Sequence, residues 1–300
     1  MQCPVCDAAN VVPRCRTAEG FALYDCGACG VGFSDPMRAA DAAWYASSPL
    51  YTCAKVLHQP VGWHHARFLE VAGPGAGRRL LDVGCGTGTF LAAARVGGFA
   101  PSGIDFDADD IDIARRRHGL RDVRTSSWSE YVAATPAGSF DVVTLFEVIE
   151  HVEDPGALLR GMARLLRPGG LLGISTPNRE RGVDPLGDGD LPPNHLTRWS
   201  AAALAAVVER SGFAVERVEV KPLALEDLVG VLRARLRLGV ARRMLERSAA
   251  AGDVRLAARA RVLIRLKDGC FAVLAAPPWL ACRLARRPGV GLLCRARRRA

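Results

Sequence analysis

A run of glycines between an apolar strand and an apolar helix constrains this chain more than any other feature. Residues 80–83 have the pattern of a short buried strand, and an Ala-rich helix is predicted over 90–96. The turn between them reads Gly84-Cys85-Gly86-Thr87-Gly88. Glycines allow positive φ and close approach of a ligand to the backbone, while free N–H groups at a helix start favour electron-rich ligand atoms. This order of elements predicts a nucleotide-binding turn.

The spacing of the glycines indicates the kind of nucleotide. A dinucleotide-binding turn carries a third glycine three residues after the second, and Thr89 occupies that position here. The pattern that begins at Asp82 and has glycines two, four and six residues later instead resembles the first motif of class I S-adenosylmethionine (SAM)-dependent methyltransferases. The resemblance implies that Asp82 lies near the methionine amino group of SAM. The other cofactor contacts that it implies in the turn are Gly84, Cys85, Gly86 and Gly88.

Further cofactor contacts are expected after the next strands. Asp105 ends the second predicted strand about 20 residues after the turn, where a carboxylate can accept hydrogen bonds from a ribose diol. Asp107 is its nearest rival, and either residue can also be read as an exposed loop acid. The resemblance also implies an adenine contact after the third predicted strand, where the candidates are Ser126, Ser127 and Trp128, although the acidic residue usual at that position is missing. Phe106 and Phe146 are also assigned to the cofactor site.

A second cluster of polar residues follows the fourth predicted strand, over 140–145. Wound as a helical turn, Glu147, Glu150 and His151 fall on one face, and His195 lies farther along the chain. Glu-x-x-Glu-His with a distant His is similar to the Mg²⁺ site of small-RNA 2′-O-methyltransferases, and its first part recurs in ubiquinone-pathway O-methyltransferases. The resemblance implies either a catalytic group of Glu150, His151 and His195, with a histidine as base, or a Mg²⁺ site formed by all four residues. Both readings place the cluster on the acceptor side of SAM.

Two pairs of cysteines near the N-terminus have the spacing of metal ligands. Cys3 and Cys6 form one CxxC pair, and Cys26 and Cys29 form another after a gap of 19 residues. Such pairs close one tetrahedral thiolate site in a zinc ribbon. We therefore expect a structural Zn²⁺ in residues 1–35, the alternative being reduced thiols without metal.

The predicted fold is α/β: a doubly wound, Rossmann-like, seven-stranded methyltransferase sheet with an N-terminal zinc ribbon and a C-terminal helical insertion before the last strand. The expected units are the ribbon (1–35), a helical lid or linker (36–77), the SAM-binding core (78–222), an Arg-rich helical insertion (223–288), and a last strand with a basic tail (289–300). A helix is expected over 158–166, broken at 167–170, and the last strand over 290–294. Aromatic residues in 36–77 can form a lid over the cofactor or pack in the core, and core packing is preferred.

Charge is distributed unevenly along the chain. The net charge is +9, and residues 221–300 hold 19 Lys and Arg against 5 Asp and Glu. Within 223–288 an apolar stretch (270–284) is interrupted by two prolines and flanked by basic residues. Two readings stay open: a helical cap that packs on the catalytic domain, or peripheral contact with an anionic membrane surface. With no signal peptide visible after Met1, we expect a cytoplasmic protein, with contact at the inner face of the membrane.

Residues 78–220 resemble the methyltransferase branch that includes ubiquinone-pathway O-methyltransferases and methyltransferases of glycan and natural-product pathways. The function implied is SAM-dependent O-methylation of a small-molecule, sugar or lipid-linked acceptor. An RNA methyltransferase that uses the zinc ribbon and the basic C-terminal region is a second hypothesis. A non-catalytic module that binds SAM or nucleic acid is the third, and the complete SAM motif argues against it.

Overall fold

The computed structural model describes residues 1–41, 44–45, 60–184, 188–235 and 254–300. Its strands are β1 (Val11–Arg16), β2 (Ala22–Cys26), β3 (Gly32–Asp35), β4 (Arg79–Val83), β5 (Ala100–Asp105), β6 (Val123–Thr125), β7 (Phe140–Phe146), β8 (Leu166–Pro177), β9 (Thr197–Arg198), β10 (Phe213–Val220) and β11 (Gly291–Arg298). Its α-helices are α1 (Trp63–Ala72), α2 (Thr89–Val96), α3 (Ala108–His118), α4 (Trp128–Ala134), α5 (Pro155–Leu165), α6 (Ala201–Arg210), α7 (Leu225–Arg235) and α8 (Val254–Leu284). Short 3-10 turns cover Ile149–His151 and Asp188–Asp190.

The central sheet has seven strands in the order β10-β11-β8-β7-β4-β5-β6. Its strands β4 to β8 are parallel, and β11 is antiparallel to both of its neighbours. The predicted seven-stranded, Rossmann-like methyltransferase sheet is therefore confirmed. Since β4 lies between β5 and β7, the strand order reverses direction at β4, and the glycine turn that follows it lies at the crevice where open α/β sheets bind ligands.

Apolar side chains fill a layer on each face of the sheet. Neighbours along one strand point to opposite faces, so Leu80 joins one buried cluster and Leu81 the other. Phe68 of α1 and Leu91 of α2 cover the first face, and Leu159 of α5 lies in the cluster on the second. Burial on both faces explains why the parallel strands read as continuous apolar runs.

The predicted break at 167–170 is wrong in one respect, because those residues belong to a strand. Helix α5 ends at Leu165, and β8 starts at Leu166, which the sequence analysis placed in the helix. The pairing with β7 shifts register between Phe140 and Val142, and Gly169 has φ +72°. Two steps along β7, from Phe140 to Val142, match five along β8, from Leu166 to Leu171, so an irregularity in the pairing accommodates the Pro-Gly-Gly stretch inside the strand.

The predicted basic tail is also wrong, since β11 continues to Arg298. Arg297 donates from Nε to Glu216 of β10 at 2.8 Å, and Arg295 lies 3.8 Å from both Glu216 and Glu219. Cross-strand ion pairs neutralise arginines that composition alone suggests are free. The strand is therefore longer than the apolar run 290–294 indicates.

The apolar stretch near the C-terminus lies in one helix. Helix α8 runs through Pro277 and Pro278, so the expected interruption is wrong. Phe271 and Ala275 pack against Leu228 of α7, and the Trp279 indole donates to the Leu223 carbonyl at 3.1 Å. These contacts anchor the C-terminal half of the helix on α7.

None of the helices that the structure describes is long and apolar enough to cross a membrane. Residues 236–253 of the predicted insertion lie outside the described residues.

The N-terminal ribbon does not end at its own strands. Strands β1, β2 and β3 form an antiparallel sheet, and β9 from the methyltransferase core adds a fourth strand beside β3. Ser34 also donates its N–H to the Leu196 carbonyl at 2.9 Å, and Leu196 donates its own N–H to the Glu150 carbonyl at 2.7 Å. Two hydrogen bonds therefore link the ribbon to the 3-10 turn that carries Glu150 and His151.

Candidate active site and cysteine cluster

The glycine turn has a conformation that needs glycine at three positions. Gly84, Gly86 and Gly88 have φ of +75°, +49° and +79°. A Cβ on Gly84 would lie 2.4 Å from Val148, and one on Gly88 would lie 2.8 Å from Ala114, so these two glycines permit close packing. A Cβ on Gly86 would meet nothing within 4 Å. Gly86 therefore faces open space, which is where a cofactor bound to the turn would lie.

Asp82 is buried beneath this turn. Its Oδ1 accepts a hydrogen bond from the Thr144 hydroxyl at 2.6 Å, and only 3% of the residue is exposed. Burial raises the pKa of Asp82 to about 7, although the Thr144 hydrogen bond opposes that shift. A cationic ligand group next to this carboxyl would favour its ionised form.

Asp105 holds the turn from the neighbouring strand. Gly86 donates its N–H to Oδ2 at 2.8 Å, and Asp107 donates its N–H to Oδ1 at 3.0 Å. Burial raises the pKa of Asp105, and these two hydrogen bonds partly offset that effect. Asp107 instead caps α3 by accepting the Asp109 N–H at 2.9 Å. Of the two acids that the sequence offered, Asp105 is the one that contacts the glycine turn.

The other predicted cofactor residues occupy different environments. Cys85 lies under the turn, against Gly103, and burial raises the pKa of its thiol well above the usual value. Phe146 is buried among aromatic rings, its centroid 4.8 Å from Phe90. Ser127 caps α4, and its hydroxyl donates to Glu130 at 2.7 Å, so that hydroxyl already has a partner. Phe106 is 57% exposed and borders the crevice.

Tyr45 connects the cofactor side of the crevice to the histidines. Its ring lies 5.3 Å from that of Phe106, and its hydroxyl lies 3.4 Å from His151 Nδ1. Burial raises the pKa of Tyr45 to about 12. In the same segment Phe68 is fully buried in the core. Segment 36–77 thus contributes both a core residue and an aromatic cover, whereas the sequence analysis preferred core packing. Residues 42–43 and 46–59 of this segment lie outside the described residues.

His151 has a defined tautomer. Its Nδ1 lies 2.6 Å from the Asn194 carbonyl, which only accepts, so Nδ1 carries the hydrogen and Nε2 carries the lone pair of the neutral ring. Burial, reinforced by the nearby His195, lowers the pKa of His151 to about 4. The neutral imidazole therefore predominates near pH 7.

Glu150 lies beside this ring and is 1% exposed. Its Oε2 accepts the Thr176 hydroxyl at 3.0 Å, while Oε1 has no hydrogen-bond partner among the described residues and lies 3.8 Å from His151 Nε2. Burial, with repulsion from Glu147, raises the pKa of Glu150 well above its ordinary value. An orphaned buried oxygen facing a histidine is an uncommon arrangement outside functional sites.

His195 completes the cluster. Its ring centroid lies 4.8 Å from that of His151, and its Nδ1 lies 3.4 Å from Asp190 Oδ1. Arg181 forms a bidentate ion pair with the same Asp190. Sequence reasoning missed Asp190 and Asn194, which lie within or beside a loop without a recognisable pattern. The structure places ligand atoms of Glu150, His151 and His195 within 4.8 Å of one another.

Glu147 departs from the predicted four-residue Mg²⁺ set. It lies before the 3-10 turn with φ +56°, and its Oε1 accepts the Ser175 hydroxyl at 2.7 Å. The helical turn assumed in the sequence analysis starts only at Ile149, so Glu147 does not share its face. One carboxylate with two imidazoles is a poor donor set for Mg²⁺, which prefers oxygen ligands. The residues brought together therefore do not fit Mg²⁺.

The four ribbon cysteines converge on one point. Cys3 and Cys29 have Sγ atoms 3.7 Å apart, and those of Cys6 and Cys26 are 3.5 Å apart. A tetrahedral site with Zn–S bonds of about 2.3 Å needs sulfur separations of about 3.8 Å. The N–H groups of Val5 and Ala28 point at the Cys3 and Cys26 sulfurs at 3.4 Å, as suits thiolates. The cluster is consistent with the predicted zinc ribbon.

Comparison with known proteins agrees with this geometry. The seven-stranded sheet, the glycine turn and the Asp82 and Asp105 pair define a Rossmann-like methyltransferase fold of class I. Residues 62–218, more than half of the chain, match the family described as a methyltransferase domain, and the chain belongs to that family. Its domain is thus of the SAM-dependent class I type.

The chain is similar to curated proteins over a little more than a third of its length. It is 46% identical over 109 residues to a ubiquinone biosynthesis O-methyltransferase from Xanthomonas oryzae pv. oryzae, covering 35% of this chain and 45% of that protein. A protein of the same description from Bordetella pertussis is 40% identical over 124 residues, covering 40% and 49%. The chain thus spans about half the length of these relatives.

Solved structures share the fold at low sequence identity. Phosphoethanolamine N-methyltransferase 2 from Haemonchus contortus, in complex with SAM, superposes with a TM-score of 0.55 at 20% identity, covering 87% of this chain and 59% of that one. A SAM-dependent methyltransferase from Archaeoglobus fulgidus gives a TM-score of 0.52 at 20% identity, covering 78% and 92%. At these identities the likeness concerns the fold.

Proposed function

We propose that this protein is a SAM-dependent methyltransferase that methylates an oxygen of a small-molecule acceptor. The observation that carries the proposal is the His151 tautomer fixed by Asn194, because it presents a basic Nε2 beside the buried Glu150. A hydroxyl nucleophile needs such a group to accept its proton as the methyl group is transferred. Family membership and the intact glycine turn support SAM as the donor.

In this proposal the glycine turn holds SAM, whose sulfonium supplies an electrophilic methyl group. Gly86 leaves room for the cofactor, and Asp82 faces its ammonium group as a carboxylate. Asp105 keeps Gly86 in position and has lone pairs left for the ribose hydroxyls. The exposed Phe106 and the half-buried Tyr45, whose ring centroids lie 5.3 Å apart, cover this side of the crevice.

His151 is assigned as the general base and His195, its ring neighbour, as the group that relays or stores the proton. Asn194 orients the His151 ring through Nδ1, and Thr176 orients Glu150. A positioned base contributes roughly 10²–10⁴-fold to a rate. This mechanism requires no metal, in accordance with the poor fit of the cluster to Mg²⁺.

A small-molecule acceptor is favoured over RNA. Relatives at 40–46% identity are described as ubiquinone biosynthesis O-methyltransferases, which supports an acceptor of low molecular mass. The basic C-terminal strand gives less support to RNA than its composition suggests, because Arg295 and Arg297 face Glu216 and Glu219. Cations already paired within a sheet contribute little to phosphate binding.

A lipid-linked acceptor, or one met at a membrane surface, is supported by one face of α8. Val273, Leu274 and Leu284 are exposed at 74%, 64% and 77%, and Arg286 and Arg287 follow the helix. Apolar side chains with adjacent arginines suit the surface of an anionic bilayer. Sedimentation with anionic vesicles, but not with neutral ones, would support this part of the proposal, and a lack of binding to both would remove it.

Calorimetry with SAM, followed by transfer of labelled methyl groups from SAM into fractionated cell extract, tests the proposed function. We expect SAM binding and label in a small-molecule or lipid fraction. Label found only in RNA would contradict a small-molecule acceptor and support the hypothesis of an RNA methyltransferase. A protein that binds no SAM would be a non-catalytic module.

We also infer that the four ribbon cysteines hold one structural Zn²⁺. Their sulfur separations support this, and thiolate coordination supplies much of the folding free energy of so small a unit. Metal analysis of protein purified without chelators should find one equivalent of zinc.

A further inference from the structure

A narrow pocket lies where the ribbon meets the carboxyl end of the sheet. Its enclosed volume is about 10 Å³, room for one water-sized group, and it is partly open to solvent. Its charged and polar lining includes Glu150, Arg179, Arg181, Asp190, His195 and Arg198. A ligand would therefore place one small polar group here, with the rest of the molecule outside. Because Glu150 and His195 line it, the pocket is continuous with the proposed catalytic cluster.

Two of its three arginines are held by carboxylates. Arg179 donates from Nη2 to both oxygens of Asp25, at 2.8 and 2.9 Å, and also to the Gly30 carbonyl at 3.2 Å. Arg181 is paired with Asp190. Asp25 lies on ribbon strand β2, so the ribbon supplies one wall of this pocket.

Arg198 has no such partner. Among the described residues no carboxylate forms an ion pair with it, and its one protein hydrogen bond there is a long contact of 3.5 Å from Nη2 to the Tyr24 carbonyl. The Arg198 and Arg179 guanidinium groups both lie 3.0 Å from the point where a Gly32 Cβ would sit. Burial and this neighbour lower the pKa of Arg198. The guanidinium groups of Arg179 and Arg198 therefore lie close together beside Gly32.

Arg198 is the arginine of this pocket that lacks a paired carboxylate among the described residues. Arg179 pairs with Asp25 and Arg181 pairs with Asp190, while Glu150 and Asp190 also line the pocket. A half-buried guanidinium next to a second one is unfavourable unless an anion lies between them. Guanidinium groups bind carboxylates and phosphates through paired, charge-assisted hydrogen bonds.

We propose that this pocket binds an oxyanion group of the acceptor, a phosphate ester or a carboxylate, with Arg198 as its principal ligand. The inference rests on the proposed function, since it specifies the acceptor of the same site. An acceptor anchored there has its anionic group beside His195 and Glu150, which leaves its hydroxyl to reach His151. The ribbon then takes part in acceptor recognition through Asp25, which fixes Arg179.

Calorimetric titration of the full chain with inorganic phosphate and, separately, with acetate tests the inference. Arg198→Gln removes the charge while keeping donor groups, and we expect it to weaken binding of the preferred anion by about tenfold or more. Arg198→Lys should retain part of the affinity. The matched control is Arg210→Gln on the exposed end of α6, which removes the same charge and should leave binding unchanged.

Preference for phosphate over acetate assigns a phosphate ester, and the reverse preference assigns a carboxylate. Absence of binding to both anions, or equal binding by wild type and Arg198→Gln, overturns the inference. SAM titrations in parallel keep the two proposals apart. A protein that binds SAM but neither anion retains the proposed function without this pocket, whereas one that binds an anion but not SAM loses the proposed function.

Discussion

His151 donates its Nδ1 hydrogen to the main-chain carbonyl of Asn194 at 2.6 Å, which leaves Nε2 as the basic nitrogen of the ring. The variant His151→Asn tests the role of that nitrogen, because an asparagine amide can replace the Nδ1 donor but not the base. We expect methyl transfer to fall by roughly 10²–10⁴-fold, with SAM affinity nearly unchanged. Single-turnover transfer of labelled methyl groups and calorimetry measure the two quantities.

A matched control for this substitution is His118→Asn on the outer helix α3, which should keep its activity. Full activity in a His151→Asn, His195→Ala double variant would move the chemistry to another part of the crevice. Activity that disappears with a chelator and returns with Mg²⁺ would contradict the metal-free mechanism.

Asp82 should make SAM binding depend on pH. Burial holds its pKa at about 7 in the free protein, and the ammonium group of bound SAM should lower it. Below pH 7 the free carboxyl is protonated and must release a proton on binding, so affinity should fall by up to about tenfold per pH unit as the pH decreases from 7. Above pH 7 affinity should level off.

Calorimetry at pH 6 in two buffers of different ionisation enthalpy measures this proton release directly. Asp82→Asn should bind SAM more weakly and release no proton, whereas Asp122→Asn, at an exposed position just before β6, should behave as wild type. Equal proton release in wild type and Asp82→Asn would mean that another group is titrating.

Gly86→Val should prevent SAM binding because the new side chain occupies the open space above the turn. Gly119 offers a matched control: its φ is +61°, a Cβ there also meets nothing within 4 Å, and it lies at the end of α3. Both valines introduce similar backbone strain, of order 1–3 kcal/mol. Thermal unfolding should show comparable destabilisation, and only Gly86→Val should lose SAM affinity. Loss in both variants would indicate a general effect of strain.

Cys26→Ser should release the ribbon zinc and loosen β9, since β3 and β9 pair edge to edge. We expect loss of one equivalent of metal and faster amide exchange at Thr197 and Arg198. Cys15→Ser is the control, because Cys15 is exposed and lies outside the cysteine cluster. Unchanged exchange at Thr197 after zinc loss would show that β9 keeps its place without the metal.

Local pattern was sufficient to predict the sheet and the cofactor turn. The strands around Leu80 and Leu172 are continuous apolar runs, and the glycines after Val83 have a spacing that few other turns share. Cysteine spacing likewise predicted that Cys3, Cys6, Cys26 and Cys29 come together. Each of these features depends on residue types and spacings along the chain, which can be read directly from the sequence.

The errors came from long-range contacts. The sequence pattern places Arg297 in a basic tail, whereas in the structure it forms an ion pair with Glu216 on the neighbouring strand β10. Glu147 was assigned to a helical turn, but its carboxylate accepts a hydrogen bond from Ser175 on β8 instead. Asn194 enters the site through its main-chain carbonyl, which every residue possesses, so no sequence pattern reveals that role.

Pairing of the ribbon with β9 also bears on how the chain is made. The ion pair between Asp25 and Arg179 cannot form until the ribosome has synthesised Arg179, which lies 154 residues after Asp25. At about 5–20 residues per second, a ribosome needs roughly 8–30 seconds to synthesise that interval. During this time the nascent ribbon lacks its fourth strand and one wall of its core, and Phe33 has yet to be covered. We expect the proposed Zn²⁺, once bound by the four thiols, to hold the ribbon together during this interval, so zinc supply during translation should affect the yield of folded protein.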